Sequence, residues 1–334
     1  MSEERFTVVI PTRNRLAIVL DLLGYLRQGL RWTGPIIVVD QSDDGGAELA
    51  RRLREDGLTG VDHYPHLERG VSHARNAGAL RARTEWLVFL DDDMRPARDY
   101  LSSAASFVQA NPWVDAVQGL KEDRAGWDLY SADKAGWRTS RHRQALLERA
   151  DMTGASGAWW FLIHRRAPYP TLSIGVSGSN LVVRKKAFLG AGGFDGQMHE
   201  WGEDMEFGVR LWWYGYRVCF CPELAAFHLH APVGGNRGSR KGIVQRLFEP
   251  QPSPSWLYLH LQWLPGLPYR QLLTHYLLKS ARRPWTFPVH LVRLLRAARI
   301  ARQRAIAGPQ YAQAPCPRCG WAAGSGGGSV PSGR

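Results

Sequence analysis

Apolar and polar positions alternate in blocks of strand and helix length along the first hundred residues. Residues 6–10 form a short apolar run closed by Pro11, and residues 16–26 follow with apolar positions at helical spacing. Residues 36–39 are wholly apolar, as suits a strand buried on both faces, and they lead into Asp40. A helix over 47–55, a weaker strand over 62–65, a helix over 71–82 and a strand over 86–90 complete the series. This alternation predicts an α/β domain built on a mostly parallel sheet. Two strands run straight into carboxylates, at Asp40 and at Asp91. Open α/β sheets bind ligands beyond the carboxyl ends of their strands, so these acids mark the candidate site.

Beyond Trp113 the pattern loosens, and residues 126–170 are irregular and rich in tryptophan. Regular patterning returns at 176–183 and in a helix from Glu203 to Trp213, stopped by Gly215. Two short apolar runs, 218–220 and 225–227, lead to His228 and His230. Trp212 and Trp213 read as core filler on their helix. Trp159, Trp160 and Trp201 read either as core or as stacking faces for an acceptor sugar.

Charge divides the chain of 334 residues more sharply than the hydrophobic pattern does. The net charge is +13, yet residues 236–310 alone hold thirteen cations against one acid, Glu249. The first 235 residues are close to neutral, with 28 cations and 29 acids. The expected organisation is a catalytic domain over 1–235, with a nucleotide-binding half at 1–110 and an acceptor half at 111–235. A basic helical extension follows over 236–310, and a disordered Gly/Ser/Pro tail over 311–334. Four cysteines in a chain of 44% apolar composition exclude a disulfide scaffold and predict a reducing, cytoplasmic setting. No run of 18 apolar residues is present, and Glu3 and Glu4 stand where a signal peptide would be basic.

Asp91, Asp92 and Asp93 are consecutive, and three adjacent carboxylates repel one another. A divalent cation bound by oxygen ligands relieves that repulsion, while a solvated acidic turn that caps the next helix is the plain alternative. The surrounding motifs are VVIPTRNR at 8–15, VVDQSDD at 38–44, GVSHARNAG at 70–78, FLDDD at 89–93 and GGFDGQMHEWGED at 192–204. In this order and at these gaps they resemble family 2 glycosyltransferases of the GT-A fold, a likeness that covers about residues 6–230.

That resemblance implies a fold, a reaction and a set of residues. Asp91 and Asp93 would form a D-x-D element that holds Mn²⁺ or Mg²⁺ against the diphosphate of a sugar nucleotide. Pro11, Thr12, Arg13 and Asp40 would line the nucleotide pocket, with Arg75, Asp92 and Asn180 near the diphosphate and the transferred sugar. Gln41 stands where the family often has Asp or Asn, which leaves the base open between uracil and thymine. Asp204 would be the catalytic base, with Glu203 as its alternate, and the anomeric centre would be inverted. His228 would complete the metal site, with His230 its geometric competitor.

The implied reaction moves one sugar from a UDP- or dTDP-linked donor to a glycan or lipid-linked acceptor, in bacterial surface polysaccharide or glycolipid synthesis. Rival readings are nucleotidyl transfer to a sugar phosphate and a membrane-associated scaffold without catalysis. The first wants a glycine-rich N-terminal loop, and Pro11–Arg15 holds no glycine; the second sits badly with intact Asp91, Asp93 and Asp204. Gln28, Arg31 and Trp32 spell a Q-x-x-R-W motif of processive synthases, but upstream of the motifs it should follow. Cys316 and Cys319 form half a zinc motif without a matching pair. In the extension Arg293, Arg296, Arg299 and Arg302 recur every third residue, with Leu291, Leu294, Leu295 and Ala298 assigned to the other face. Such a helix within 279–304 suits the anionic inner face of a membrane, with Trp285 and Phe287 as interfacial anchors, and no nucleic-acid motif accompanies the charge.

Overall fold

The computed structural model describes residues 3–123, 171–172, 176–198, 202–229, 231, 249–250, 252–263, 267–281 and 287–311. Expectations for Trp159, Trp160, Trp201, His230, Trp285, Cys316 and Cys319 lie outside these residues. Among the described residues one nine-stranded sheet runs through both halves of the expected catalytic domain. Strands β1 (Phe6–Thr12), β2 (Ile36–Asp40), β3 (Val61–Pro65) and β4 (Trp86–Leu90) are parallel, in the order β3-β2-β1-β4. Helices α1 (Leu16–Gly24), α2 (Ala47–Glu55) and α3 (Val71–Arg81) connect them. The chain steps outward from β1 to β3 and then returns to the opposite side of β1. Between β1 and β4 the order therefore reverses, and open α/β sheets bind ligands beyond the carboxyl ends at such a point.

The apolar runs form strands because both faces of the sheet are covered. Val8 and Ile10 enter one core with Val19, Leu22 and Trp32. Val9 enters the other, with Phe89, Phe188 and Phe207. The predicted helix over 16–26 ends early as α, and residues Tyr25–Gly29 continue as a single π turn.

Beyond β4 the sheet becomes mixed. Strand β5 (Met94–Pro96) and helix α4 (Tyr100–Ala110) precede β6 (Ala116–Asp123), β7 (Thr171–Leu172) and β8 (Asn180–Arg184). Strand β8 lies antiparallel between β4 and β6. The two short apolar runs near 218–227 are one strand, β9 (Val218–His228), parallel to β6 and flanked antiparallel by β5 and β7. Helices α5 (Lys185–Gly190) and α6 (Glu203–Trp213) cover the same face as α3.

Pairing between β6 and β9 slips between Gly119 and Lys121, and Asn180 fills the irregularity. Its amide donates to Leu120 O at 2.9 Å and Leu224 O at 3.0 Å, and it accepts the Tyr100 hydroxyl at 2.6 Å. Asn180 is fully buried in the sheet. Its side chain is committed to the sheet, because the slipped carbonyls need donors that the ladder cannot supply.

The extension forms α7 (Pro254–Trp263), α8 (Leu267–Ala281) and α9 (Phe287–Ala307). Trp256, Leu257, Leu259, Ala297 and Ala301 pack with Met198, Met205 and Val209, so the extension covers α6. The expected face of α9 is corrected here: Leu294, Ala297 and Ala301 turn inward, whereas Leu295 is 60% exposed. Trp212 and Trp213 are also not core filler, since they stand 45% and 49% exposed at the end of α6. Tyr311, assigned to the tail, packs on Arg210 at 4.0 Å.

Replacing Asn180 with Leu should strand two carbonyls and a tyrosine hydroxyl in the sheet. The expected cost is on the order of 3 kcal/mol in urea unfolding. A loss below about 1 kcal/mol would mean that the bulge is satisfied without this amide.

Candidate functional site

Arg75 is the centre of the site. Helix α3 starts beyond Gly70, whose φ of 130° only glycine adopts freely, and presents Arg75 from its second turn. The Arg75 side chain is 3% exposed. One nitrogen of its fork donates to Asp91 Oδ1 at 2.7 Å and another to Glu203 Oε1 at 2.9 Å. Its guanidinium lies 5.4 Å from the Phe194 ring, and a Cβ on Gly178 would strike it. Burial lowers its pKa, but Asp91 and Glu203 raise it further, so the cation persists. Losing one partner of such a buried pair costs about 3–5 kcal/mol.

Glu203 and Asp204 open α6 behind Gly202, as expected. Burial and the adjacent Asp204 charge raise the Glu203 pKa above the usual carboxylate range, against the pull of Arg75. Asp204 accepts the backbone N–H of Gly178 at 3.3 Å and that of Met205 at 2.8 Å. The Gly-Ser-Asn loop therefore meets the site through Gly178.

The three aspartates beyond β4 face three ways. Asp91, the most open of them with 28% of its side chain exposed, meets Arg75. Asp92 turns inward, accepting Thr12 Oγ1 at 2.8 Å and Arg15 Nη1 at 2.7 Å. Burial raises its pKa to about 6 against the pull of Arg15 and Thr12. Asp92 thus ties the end of β1 to the turn after β4. Asp93 lies with Oδ1 3.4 Å from His228 Nε2 and Oδ2 3.1 Å from the Ala231 N–H. Burial raises its pKa, but His228, Ala231 and Arg15 outweigh burial and hold it at about 2.

Among the described residues no three His, Cys, Asp or Glu side chains enclose a metal position by themselves. What the chain offers is an ionised carboxylate beside an imidazole nitrogen, with Asp91 two residues away. Such a donor set fits a cation whose remaining ligands are oxygens of a bound phosphate.

A second group lies at the end of β2. Asp40 is opposite Thr12 in the sheet and accepts His63 Nε2 at 3.3 Å and the Ser42 N–H at 2.9 Å. Burial raises its pKa, yet these hydrogen bonds leave it below the usual range. Pro11 and Thr12 are buried beside it. Arg13 reaches Asp43 at 3.4 Å on the rim. Gln41 spends its amide on the backbone carbonyls of Glu68 and Gly70, tying down the loop before α3. The structure thus gathers Asp91, Asp93, Arg75, Glu203, Asp204 and His228 at the carboxyl ends, with Asp40 beside them.

Sequence reasoning missed Arg15 and His63. Arg15 closes the VVIPTRNR motif that supplied Pro11–Arg13, so its position was the available signal. No signal marked His63, which lies in a weakly patterned edge strand.

The model of the Glycosyl transferase family 2 matches residues 7–167, which include β1 to β4 and the acidic turn. Curated proteins agree: the pre-mycofactocin glycosyltransferase of Mycobacterium tuberculosis is 31% identical over 238 residues. The chain belongs to glycosyl transferase family 2. That match covers 69% of this family member, which spans about 43% of its curated relative. Solved structures show the fold. GalNAc-T7 with UDP, GalNAc and Mn²⁺ aligns with a TM-score of 0.54 at 16% identity, over 82% of this chain and 50% of that one. The mannosyltransferase PcManGT from Pyrobaculum calidifontis, in complex with GDP-Man and Mn²⁺, gives 0.50 at 22% identity, over 88% and 75%. The family member thus has the GT-A fold.

The lowered pKa of Asp40 has a pH signature. Its contribution to stability is complete above its unfolded pKa of about 3.9 and lost as pH falls through the lower folded value. Urea midpoints of wild type and Asp40→Asn should differ most near pH 7 and converge as pH falls through the lowered folded value. A gap constant with pH would assign the effect to packing.

Proposed function

We propose that this family 2 chain is a metal-dependent, inverting glycosyltransferase that moves one sugar from a UDP- or dTDP-linked donor to a glycan or lipid-linked acceptor. The observation behind this reading is the Arg75 bridge, which joins the acidic turn after β4 to the acidic start of α6. Mn²⁺ or Mg²⁺ would be held by Asp93 and His228 with Asp91, and when bound it supplies Lewis-acid stabilisation of the departing diphosphate. Pro11, Thr12, Arg13 and Asp40 hold the nucleoside, and Arg75 orients Asp91 toward the diphosphate.

In the reaction the acceptor oxygen attacks the anomeric carbon while the bond from that carbon to the diphosphate breaks. Asp204 takes the hydroxyl proton, and the nucleoside diphosphate leaves with the bonding pair. A single displacement inverts the anomeric centre. Glu203 is the weaker candidate for the base, because its oxygen is committed to Arg75. Asp204 accepts the backbone N–H groups of Gly178 and Met205.

The first test is calorimetric titration of UDP, dTDP and GDP with and without Mn²⁺, on wild type and Asp204→Asn. One nucleoside diphosphate should bind both proteins, only with metal. With the matching donor sugar, and with lipid-linked glycans and pre-mycofactocin as acceptors, turnover of Asp204→Asn should fall at least about a hundredfold. Unchanged turnover would remove Asp204 as base, and absence of all nucleotide binding would defeat the reading.

The extension supports peripheral contact with an anionic membrane, at the inner face for a cytoplasmic enzyme. No helix of the described residues is long and apolar enough to cross a bilayer. Val292, Leu295 and Ile306 are 42%, 60% and 86% exposed on α9, and share a face with exposed Arg299 and Arg302. Apolar groups beside cations, with no acid on the helix, suit a phosphate-rich surface. Phosphatidylglycerol vesicles should bind wild type in low salt, and Arg299→Ala/Arg302→Ala several-fold more weakly. Equal binding would remove the membrane from the proposal.

A further inference from the structure

The loop between α5 and α6 is a layer held from both sides. Its Asp195 is fully buried and accepts the Tyr258 hydroxyl at 2.8 Å, the Gln310 N–H at 2.9 Å and the Gln197 N–H of its own turn at 2.9 Å. Gly196 N–H returns a bond to Gln310 O at 2.8 Å, so residues 195–196 and 310 are doubly joined. The Gln197 amide reaches Gly308 O, and Arg304 O at 3.2 Å, at the end of α9. One buried carboxylate therefore gathers α7, the segment after α9 and its own loop.

The inner side of the same loop touches the catalytic constellation. Phe194 exchanges two hydrogen bonds of 2.8 Å with the side-chain amide of Asn76, and its ring lies beneath Arg75. A Cβ on Gly196 would strike the His73 ring. His73, Arg75 and Asn76 all belong to α3. A second branch enters through α6, where the Tyr311 ring lies 4.0 Å from the Arg210 guanidinium. Arg210 forks onto Glu206 at 2.9 and 2.6 Å, both side chains being fully buried, Glu206 one turn and Arg210 two turns beyond Glu203. Gln262 on α7 donates to the Tyr311 hydroxyl at 3.2 Å.

From these contacts we propose that Asp195, Tyr258 and residues 308–311 form a positioning strap for the reaction. The strap fixes Arg75 through Phe194 and Asn76, and fixes the start of α6 through Arg210 and Glu206. Arg75 and the Glu203 end of its bridge therefore depend on a segment more than 100 residues later in the chain than Glu203. Displacement of about 1 Å at reacting groups can cost up to about a hundredfold in rate, so a remote hydroxyl acts through geometry. Asp195 and Tyr258 touch no reacting atom and are positioning residues. The proposal rests on the catalytic reading above, and its test separates the two.

The test uses Tyr258→Phe, which deletes one hydroxyl, and Tyr311→Leu, which deletes the ring over Arg210. Each is compared with wild type in kcat, in donor KM and in amide hydrogen exchange resolved by peptide. Tyr258→Phe should lose about tenfold in kcat with donor KM within about twofold. Exchange should accelerate in residues 71–81 as well as in 254–263. Tyr311→Leu should accelerate exchange in 203–213, and it serves as the test should Tyr258→Phe fail to fold. Unchanged kcat, or acceleration confined to 254–311, would reduce the strap to ordinary packing and overturn the proposal. If wild type turns over no nucleotide sugar, the catalytic reading fails, while exchange in 71–81 still decides whether the strap reaches Arg75.

Discussion

A buried guanidinium between two carboxylates sets the terms for the rest of this structure. Arg75 cannot occupy a low-dielectric position alone, and Asp91 and Glu203 cannot approach one another without it. Each neighbouring feature follows from that requirement. Gly178 leaves space for the fork, Phe194 gives it an aromatic face, and Gly70 lets α3 begin where Arg75 can reach both acids. The sheet supplies the remaining condition by ending β4 at the acidic turn.

Much of the parallel half was legible because its strands are buried on both faces. A wholly apolar run such as Ile36–Asp40 before its terminal acid leaves little else for the chain to do. Strand β6 and helix α4 were not legible. Gln118 and Gly119 interrupt the apolar pattern of β6, and the slipped pairing with β9 breaks its alternation. Asn180 belongs to the same difficulty, since its duty arises from carbonyls distant in sequence. The motifs singled out the acids as a group but could not tell which way each would face. Side-chain direction in a tight turn depends on partners such as Thr12, Arg15 and Ala231, brought from elsewhere.

The extension shows how composition misleads when a helix serves two surfaces. Leucines and arginines dominate α9 to the eye, yet its inward contacts are Leu294 and two alanines, Ala297 and Ala301. Small residues let the helix approach α7 closely, and a reading that counts only large apolar side chains overlooks them. Cationic stretches also split by function: Arg293 donates to Glu249 O and Arg304 to Ser255, whereas Arg299 and Arg302 stay exposed. Charge alone described an appendage. Packing makes the extension part of the body that holds α6.

Three consecutive aspartates with three different partners explain how so acidic a turn is tolerated. Asp91 pairs with Arg75, Asp92 with Arg15, and Asp93 lies beside the His228 imidazole with a weaker contact to Arg15. Arg75 and Arg15 therefore ease part of the repulsion that made a cation attractive at the level of sequence. This distribution is uneven in a useful way. Asp92 is sealed inside, where its charge costs most, while Asp91 keeps an exposed side. The middle residue of the motif thus secures the turn to β1, while Asp91 keeps an open side and Asp93 lies buried beside His228.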